Sequence, residues 1–128
     1  KTVTKYIGRV TAESRAEWVR GQFPIRTEQK FPTLENAATH TERAAPIALA
    51  AGLGVESWQG PEGLTFAKGG HNDWTGNIAL CQEERDRCLV ILGNSVRSEI
   101  VFPELARRVL GETGYPWWWT YPALHGGD

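Results

Sequence analysis

The chain contains no methionine and only two cysteines, and nowhere does it hold the ~18 consecutive apolar residues that a membrane-crossing helix needs. That last absence argues against a transmembrane segment, and the opening residues Lys1-Thr2-Val3-Thr4-Lys5 lead into no signal-like apolar core. The missing initiator methionine leads us to expect a mature end, a proteolytic product or a cloning boundary at residue 1. An excess of either charge is also lacking. Fourteen Lys and Arg stand against fifteen Asp and Glu, a net charge of −1. The balance therefore favours neither nucleic acid nor an anionic membrane, and a small or neutral partner fits better. Two cysteines with His71 nearby are too few ligands for a structural zinc site, so no metal and no cofactor are expected.

What is present supports one core. With 128 residues, 41% of them apolar and 23% charged, the chain is long enough for one domain, or part of one, and is not of disordered composition. Residues 1–48 read as an irregular and helical layer. Ser14-Arg15-Ala16-Glu17 has capping-box spacing, which predicts a short helix starting at Ser14 and stopping by Gly21. Phe23-Pro24 and Phe31-Pro32 force extended or turning backbone. The Ala-rich stretch 34–45 predicts a helix that Pro46 ends.

Residues 49–112 are better organised and predict an α/β (α+β) unit, an antiparallel sheet with a C-terminal packing helix. A turn over Gln59-Gly60-Pro61-Glu62-Gly63 precedes a strand at 64–70, and 76–81 with 88–92 form a hairpin. The apolar density of Cys88-Leu89-Val90-Ile91-Leu92 predicts an interior strand covered on both faces. Val101, Phe102, Leu105, Val109 and Leu110 read as the buried stripe of a helix ended by Gly111, with Arg107 and Arg108 near its carbonyl end. Ser95 and Ser98 fit capping roles. Cys81 and Cys88 bracket a polar connection and fall opposite one another in the hairpin, as a disulfide or as two small buried thiols. In the tail, 113–128, three adjacent Trp residues fit packing under the terminal helix or against another segment better than nucleic-acid stacking.

The most informative stretch is Thr65-Phe66-Ala67-Lys68-Gly69-Gly70-His71-Asn72. A lysine and two glycines near a strand end place a cation and open backbone donors where a hydrolase can use them beside a reacting carbonyl. The order Gly52-Leu53-Gly54-Val55-Glu56-Ser57-Trp58, Phe66 to Asn72, Gly76-Asn77-Ile78-Ala79-Leu80, then Leu89 to Ser95 resembles the C-terminal part of the serine beta-lactamase and penicillin-binding-protein superfamily. It is most similar to class C beta-lactamase-like serine hydrolases, which include esterases and D-peptidases. The resemblance covers mainly 49–112 and extends less securely through 13–48.

The resemblance implies that Lys68-Gly69-Gly70 stands for the Lys-Thr-Gly or His-Gly-Gly triplet bordering the active site, with Gly69 where Thr is commoner. It implies catalytic roles for Lys68 and His71, the latter through its backbone N–H as oxyanion donor, and substrate-binding roles for Gly69, Gly70 and Asn72. The His71 side chain has two readings, substrate contact with proton exchange or a structural hydrogen bond. The resemblance also implies a nucleophile on a Ser-x-x-Lys helix, yet none of Ser14, Ser57, Ser95 or Ser98 is followed by Lys at that spacing. The chain is therefore expected to be a portion of a serine hydrolase acting on an amide, lactam or ester, inactive alone and partnered by an upstream polypeptide that carries the nucleophile. Its substrate would be a small molecule or peptide, and its place periplasmic or secreted, with cytoplasmic relatives known. The alternatives are a non-catalytic binding or structural domain of the same descent, or an unrelated α/β domain. The terminal His125-Gly126-Gly127 repeats the triplet's letters without a following strand and carries little weight.

Overall fold

A computed structural model describes residues 10–27 and 44–121, except for the side chains of Thr27, Ala44, Ala45 and His71. Helix α1 (Ala12–Val19) leads into six antiparallel strands: β1 (Phe23–Thr27), β2 (Ala44–Ala51), β3 (Glu56–Gly60), β4 (Gly63–His71), β5 (Gly76–Gln82) and β6 (Arg87–Leu92). Their spatial order is their chain order, a plain meander. A 3₁₀ turn (Val96–Val101), helix α2 (Phe102–Leu110) and the single-turn helix α3 (Trp117–Thr120) follow and pack on one face.

Side-chain alternation assigns the two faces. In β5, Ile78, Leu80 and Gln82 are buried toward the helices while Asn77, Ala79 and Cys81 face the other way. Leu49, Trp58, Ala67, Ile78 and Leu80 meet Phe102, Ala106, Leu110, Tyr115, Trp119 and Tyr121 in one core. Helix α2 buries Phe102, Ala106 and Leu110, one side chain per turn. Val101, Leu105 and Val109, expected on that stripe, are instead 50%, 38% and 48% exposed. The helix is rotated so that the small Ala106 meets the sheet and allows a close approach. Gly111, at φ 80°, ends it, and the N–H of Gly111 donates to the Arg107 carbonyl at 3.0 Å.

The aromatic tail folds back under this layer. Trp58 Nε1 donates to the Thr113 carbonyl at 2.8 Å, tying the loop after α2 to β3. Trp119 is buried, and Trp117 packs edge-on against Phe102 and Tyr115. Packing is thus the role of two of the three Trp residues, while Trp118 is half exposed.

Several expectations are corrected. Helix α1 begins at Ala12, not Ser14, because the Thr11 side chain is the cap and accepts from the Ser14 N–H at 3.1 Å. The helix expected over 34–45 falls largely outside the described residues, but its end, Ala44 and Ala45, belongs to β2, where Ile47 and Leu49 alternate toward the core. The register slips between Ile25 and Thr27, beside the stretch holding Pro46, which has no N–H to pair. Strand β6 is an edge strand rather than an interior one: Leu89 and Ile91 join the core, but Val90 and Leu92 are 59% and 79% exposed. Cys81 and Cys88, directly paired across β5 and β6, form a disulfide with Cα atoms 4.1 Å apart. Ser95 caps the 3₁₀ turn by accepting from the Arg97 N–H, and Ser98 Oγ donates to the Ser95 carbonyl, both as expected. His125-Gly126-Gly127 lies outside the described residues.

Candidate functional site

Strand β4 outruns its neighbour. On one side β5 pairs with it continuously from Thr65↔Gln82 to His71↔Gly76. On the other, β3 accompanies it from Gly60↔Gly63 only as far as Glu56↔Ala67. Lys68, Gly69, Gly70 and His71 therefore have a strand on one side alone among the described residues. The cause is the β2–β3 connection. Gly52 N–H donates to the Val55 carbonyl at 2.7 Å, closing a tight turn in which Gly54 takes φ 83°, a conformation costly for other residues.

Main-chain groups alternate in direction along a strand, which decides which ones the missing neighbour leaves open. The Leu64 carbonyl accepts from Glu83 N–H at 2.9 Å, and Asn72 N–H donates to the Thr75 carbonyl at 3.1 Å, so even positions address β5. Gly69 and His71 then turn their N–H and C=O groups toward the side that β3 has vacated. Lys68 is exposed, and its Nζ donates to the Gly69 carbonyl at 2.7 Å, so the ammonium hooks over that open edge with further protons to give.

Three residues behind the edge were not singled out from the sequence. Glu56, the first residue of β3, shares the core face with Trp58, two positions on, and accepts from the Tyr115 hydroxyl at 3.1 Å. Burial raises its carboxyl above the ordinary range, against the lowering effects of the Tyr115 hydrogen bond and the Lys68 charge. Burial and the Glu56 charge push the Tyr115 hydroxyl well up. The Tyr121 hydroxyl, raised mainly by burial, donates to the Asn77 carbonyl at 3.4 Å and lies beneath Gly69. A Cβ at position 69 would stand 3.3 Å from that hydroxyl, tighter than ordinary contact, so a side chain there would need the hydroxyl to give by a few tenths of an ångström. The signal available in the sequence was parity: Glu56 sits two residues from an apolar Trp, so a core strand carries a carboxyl inward.

The remaining expected site residues divide. Gly70 is exposed, opposite Asn77 on the face away from α2. Asn72 Oδ1 accepts from the N–H groups of Trp74 and Thr75, both at 2.8 Å, and from Thr75 Oγ1 at 3.2 Å, so its acceptor builds the turn. The backbone of His71 ends β4, while its side chain lies outside the described residues. Ser57 is buried on β3, Ser95 and Ser98 are engaged in capping, and Ser14 is exposed on α1.

The face of β4, β5 and β6 away from α2 is only partly covered. Helix α1 closes one end, with Trp18 edge-on to Phe66 at 5.4 Å and Arg15 paired to Glu83 at 2.6 Å. Beyond Phe66 run the cross-strand rows Lys68–Ala79–Val90 and Gly70–Asn77–Leu92, whose first and last members are exposed. Among the described residues no cluster of metal-binding side chains occurs, and no helix is long and apolar enough to cross a membrane. No protein-family model, curated protein or solved structure matches the chain.

Proposed function

We propose that this chain forms the sheet side of a serine hydrolase cleft, as part of a beta-lactamase/transpeptidase-like fold whose nucleophile comes from an upstream segment or partner polypeptide carrying Ser-x-x-Lys. The observation that carries the reading is the unpaired edge of β4, where Lys68 Nζ and the N–H groups of Gly69 and His71 meet beside the end of β3. The uncovered rows through Lys68, Val90 and Leu92 leave room for a helical region on the side from which Lys68 emerges.

In this reading the serine Oγ, its proton passed to a base on the polypeptide that carries it and from there to the leaving group, attacks the carbonyl carbon of an amide, lactam or ester. The carbonyl π electrons move to oxygen, and the oxyanion accepts from the His71 N–H. Collapse of the tetrahedral species breaks the bond to the leaving nitrogen or oxygen, which takes a proton. Water then attacks the acyl-enzyme and releases the acid. Lys68 stabilises negative charge and orients the substrate, and the bare backbone of Gly70 lets the ligand approach the strand. Because the His71 role is a backbone one, His71→Gln should change turnover modestly, whereas Lys68→Ala should lower it about a hundredfold.

The deciding experiment is native mass spectrometry of material from the natural source, before and after a serine-reactive fluorophosphonate. A co-purifying polypeptide that gains the probe mass is expected. A lone chain without adduct would sink the proposal. A second reading, a non-catalytic binding or structural domain, is favoured by the four serines having places in caps, the sheet or α1 rather than at Lys68. A stoichiometric partner that never takes the probe would select it.

A further inference from the structure

The two outer strands of the meander are guarded differently. Strand β1 holds Pro24 and a register slip between Ile25 and Thr27, two devices that discourage pairing with another chain. Strand β6 has neither. It runs Arg87-Cys88-Leu89-Val90-Ile91-Leu92 in unbroken register with β5, and its one charge sits at its start. The Gly93 N–H donates to the Gly76 carbonyl at 3.0 Å, so odd positions of this segment address β5. Cys88, Val90 and Leu92 then each turn an N–H and a C=O outward, six groups with no strand beside them among the described residues.

An apolar ledge stands over this edge. Helix α2 lies over β6 and buries Phe102, Ala106 and Leu110. With about 3.6 residues per turn, Pro103 and Arg107 fall on one flank of that stripe, Leu105 and Val109 on the other. The first flank faces the aromatic tail, because Pro103 and Arg107 share a cleft with Trp117, and the tail reaches β3 through Tyr115 on Glu56. Leu105 and Val109 therefore look the opposite way, past β6, where they are largely in solvent. Beneath them Leu89 and Ile91 are only half-buried.

We propose that a second copy of this chain docks on β6, antiparallel, so that the sheet continues across a two-fold axis beside Val90. Self-complementarity selects this occupant. With Val90 set against the partner's Val90, Cys88 faces the partner's Leu92, and all six outward groups of each strand find a bond. Leu89 then meets the partner's Ile91, and Arg87 meets the partner's Gly93, which has no side chain to oppose it. Charge agrees with this register. Glu83 is held by Arg15 and Arg85 by Glu62, which leaves Glu84 and Asp86 exposed in the β5–β6 turn. That turn comes beside the partner's 3₁₀ turn, where Arg97 is exposed. Leu105 and Val109 of both copies close over the new strand pair. The contact uses the sheet edge and the α2 flank, so it does not rest on the hydrolase reading.

Sedimentation velocity of the 128-residue chain, from low micromolar to about 0.5 mM, should show a reversible species of twice the 14.2 kDa monomer mass, with a dissociation constant of about ten micromolar. The amides of Cys88, Val90 and Leu92 should gain protection from hydrogen exchange only at concentrations where that species forms. Val90→Lys and Val90→Glu should each weaken self-association at least about tenfold, because each sets like charges opposite one another, and an equimolar mixture of the two should restore it. Leu105→Lys, away from the strand, should weaken it about tenfold while the circular dichroism spectrum is unchanged. A monomer at every concentration would overturn the proposal. So would a dimer whose Val90 amide still exchanges freely, or folded charge variants that mixing does not restore. Protection of these amides only by a serine-bearing polypeptide would give the edge to that partner instead. Should a Val90 variant fail to fold, Leu105→Lys and the exchange of the unsubstituted chain decide alone.

Discussion

The two faces of the sheet are made from the same strands and yet differ in nearly every respect. Toward α2 and α3, Leu80, Ile78, Ala67 and Trp58 are almost fully excluded from water. Toward the other side, the same strands offer Lys68, Gly70, Val90 and Leu92 to solvent, together with a disulfide whose Cys88 is exposed. Strand alternation alone would permit two equally buried faces. Among the described residues, one face is finished by the C-terminal elements, whereas α1 finishes only the Phe66 end of the other.

The sharpest way to break this contrast is a matched pair of truncations. Leu80→Ala should cost about 3 kcal/mol, because it opens a cavity in a packed interior, while Val90→Ala should stay within about 0.5 kcal/mol. Urea titrations of both variants give the answer, and equal losses would show that the outer face is covered. Next in size is the Cys81–Cys88 bridge. It closes a loop of sequence separation 7, so Cys81→Ser with Cys88→Ser should cost about 2 kcal/mol without altering the meander, as checked by thermal unfolding with and without reductant.

A pH series sharpens the comparison further. Burial raises the Glu56 carboxyl, so the folded chain keeps a proton that the unfolded chain releases. Its stabilising contribution is full at pH values below the ordinary carboxylate range and fades as the pH rises through the folded value. Glu104 behaves oppositely. Hydrogen bonds from Arg107 and Arg108 hold its carboxyl down at about 2, so its contribution is present above the ordinary range and lost as pH falls toward that value. Glu56→Gln should therefore flatten the decline of stability on the alkaline side and leave the acid side unchanged, as measured by denaturant midpoints from pH 3 to 8. The smallest effect on stability is expected for Leu92→Asp, within about 0.5 kcal/mol, and under the proposed function it should also weaken association with the serine-bearing polypeptide about tenfold.

Much of the second half was legible from local signals. The turn before β4, the β5–β6 hairpin, the facing cysteines and the glycine ending α2 each follow from residue types that permit few alternatives. Errors arose where a local signal was ambiguous without its tertiary neighbours. The run Cys88 to Leu92 looks doubly buried because apolar letters do not say whether a cover exists. Val101, Leu105 and Val109 lie close in angle to the true stripe, and only the fit of Ala106 against the sheet selects between them. At the site, Lys68 and the glycines were readable, but Glu56 and Tyr115 lie 59 residues apart and Tyr121 reaches Asn77 across 44. Pairings of that range leave no mark in a single sequence.

The turn at Gly52–Val55 gives the edge a particular vulnerability. Among the described residues, β3 starts only at Glu56, so the length of the β2–β3 connection sets how far along β4 the pairing runs. A four-residue insertion there, adding extended residues ahead of Glu56 opposite Lys68 to His71, would let the protein satisfy its own amides and become a self-capped sheet. Availability, in this molecule, is a matter of where one strand begins.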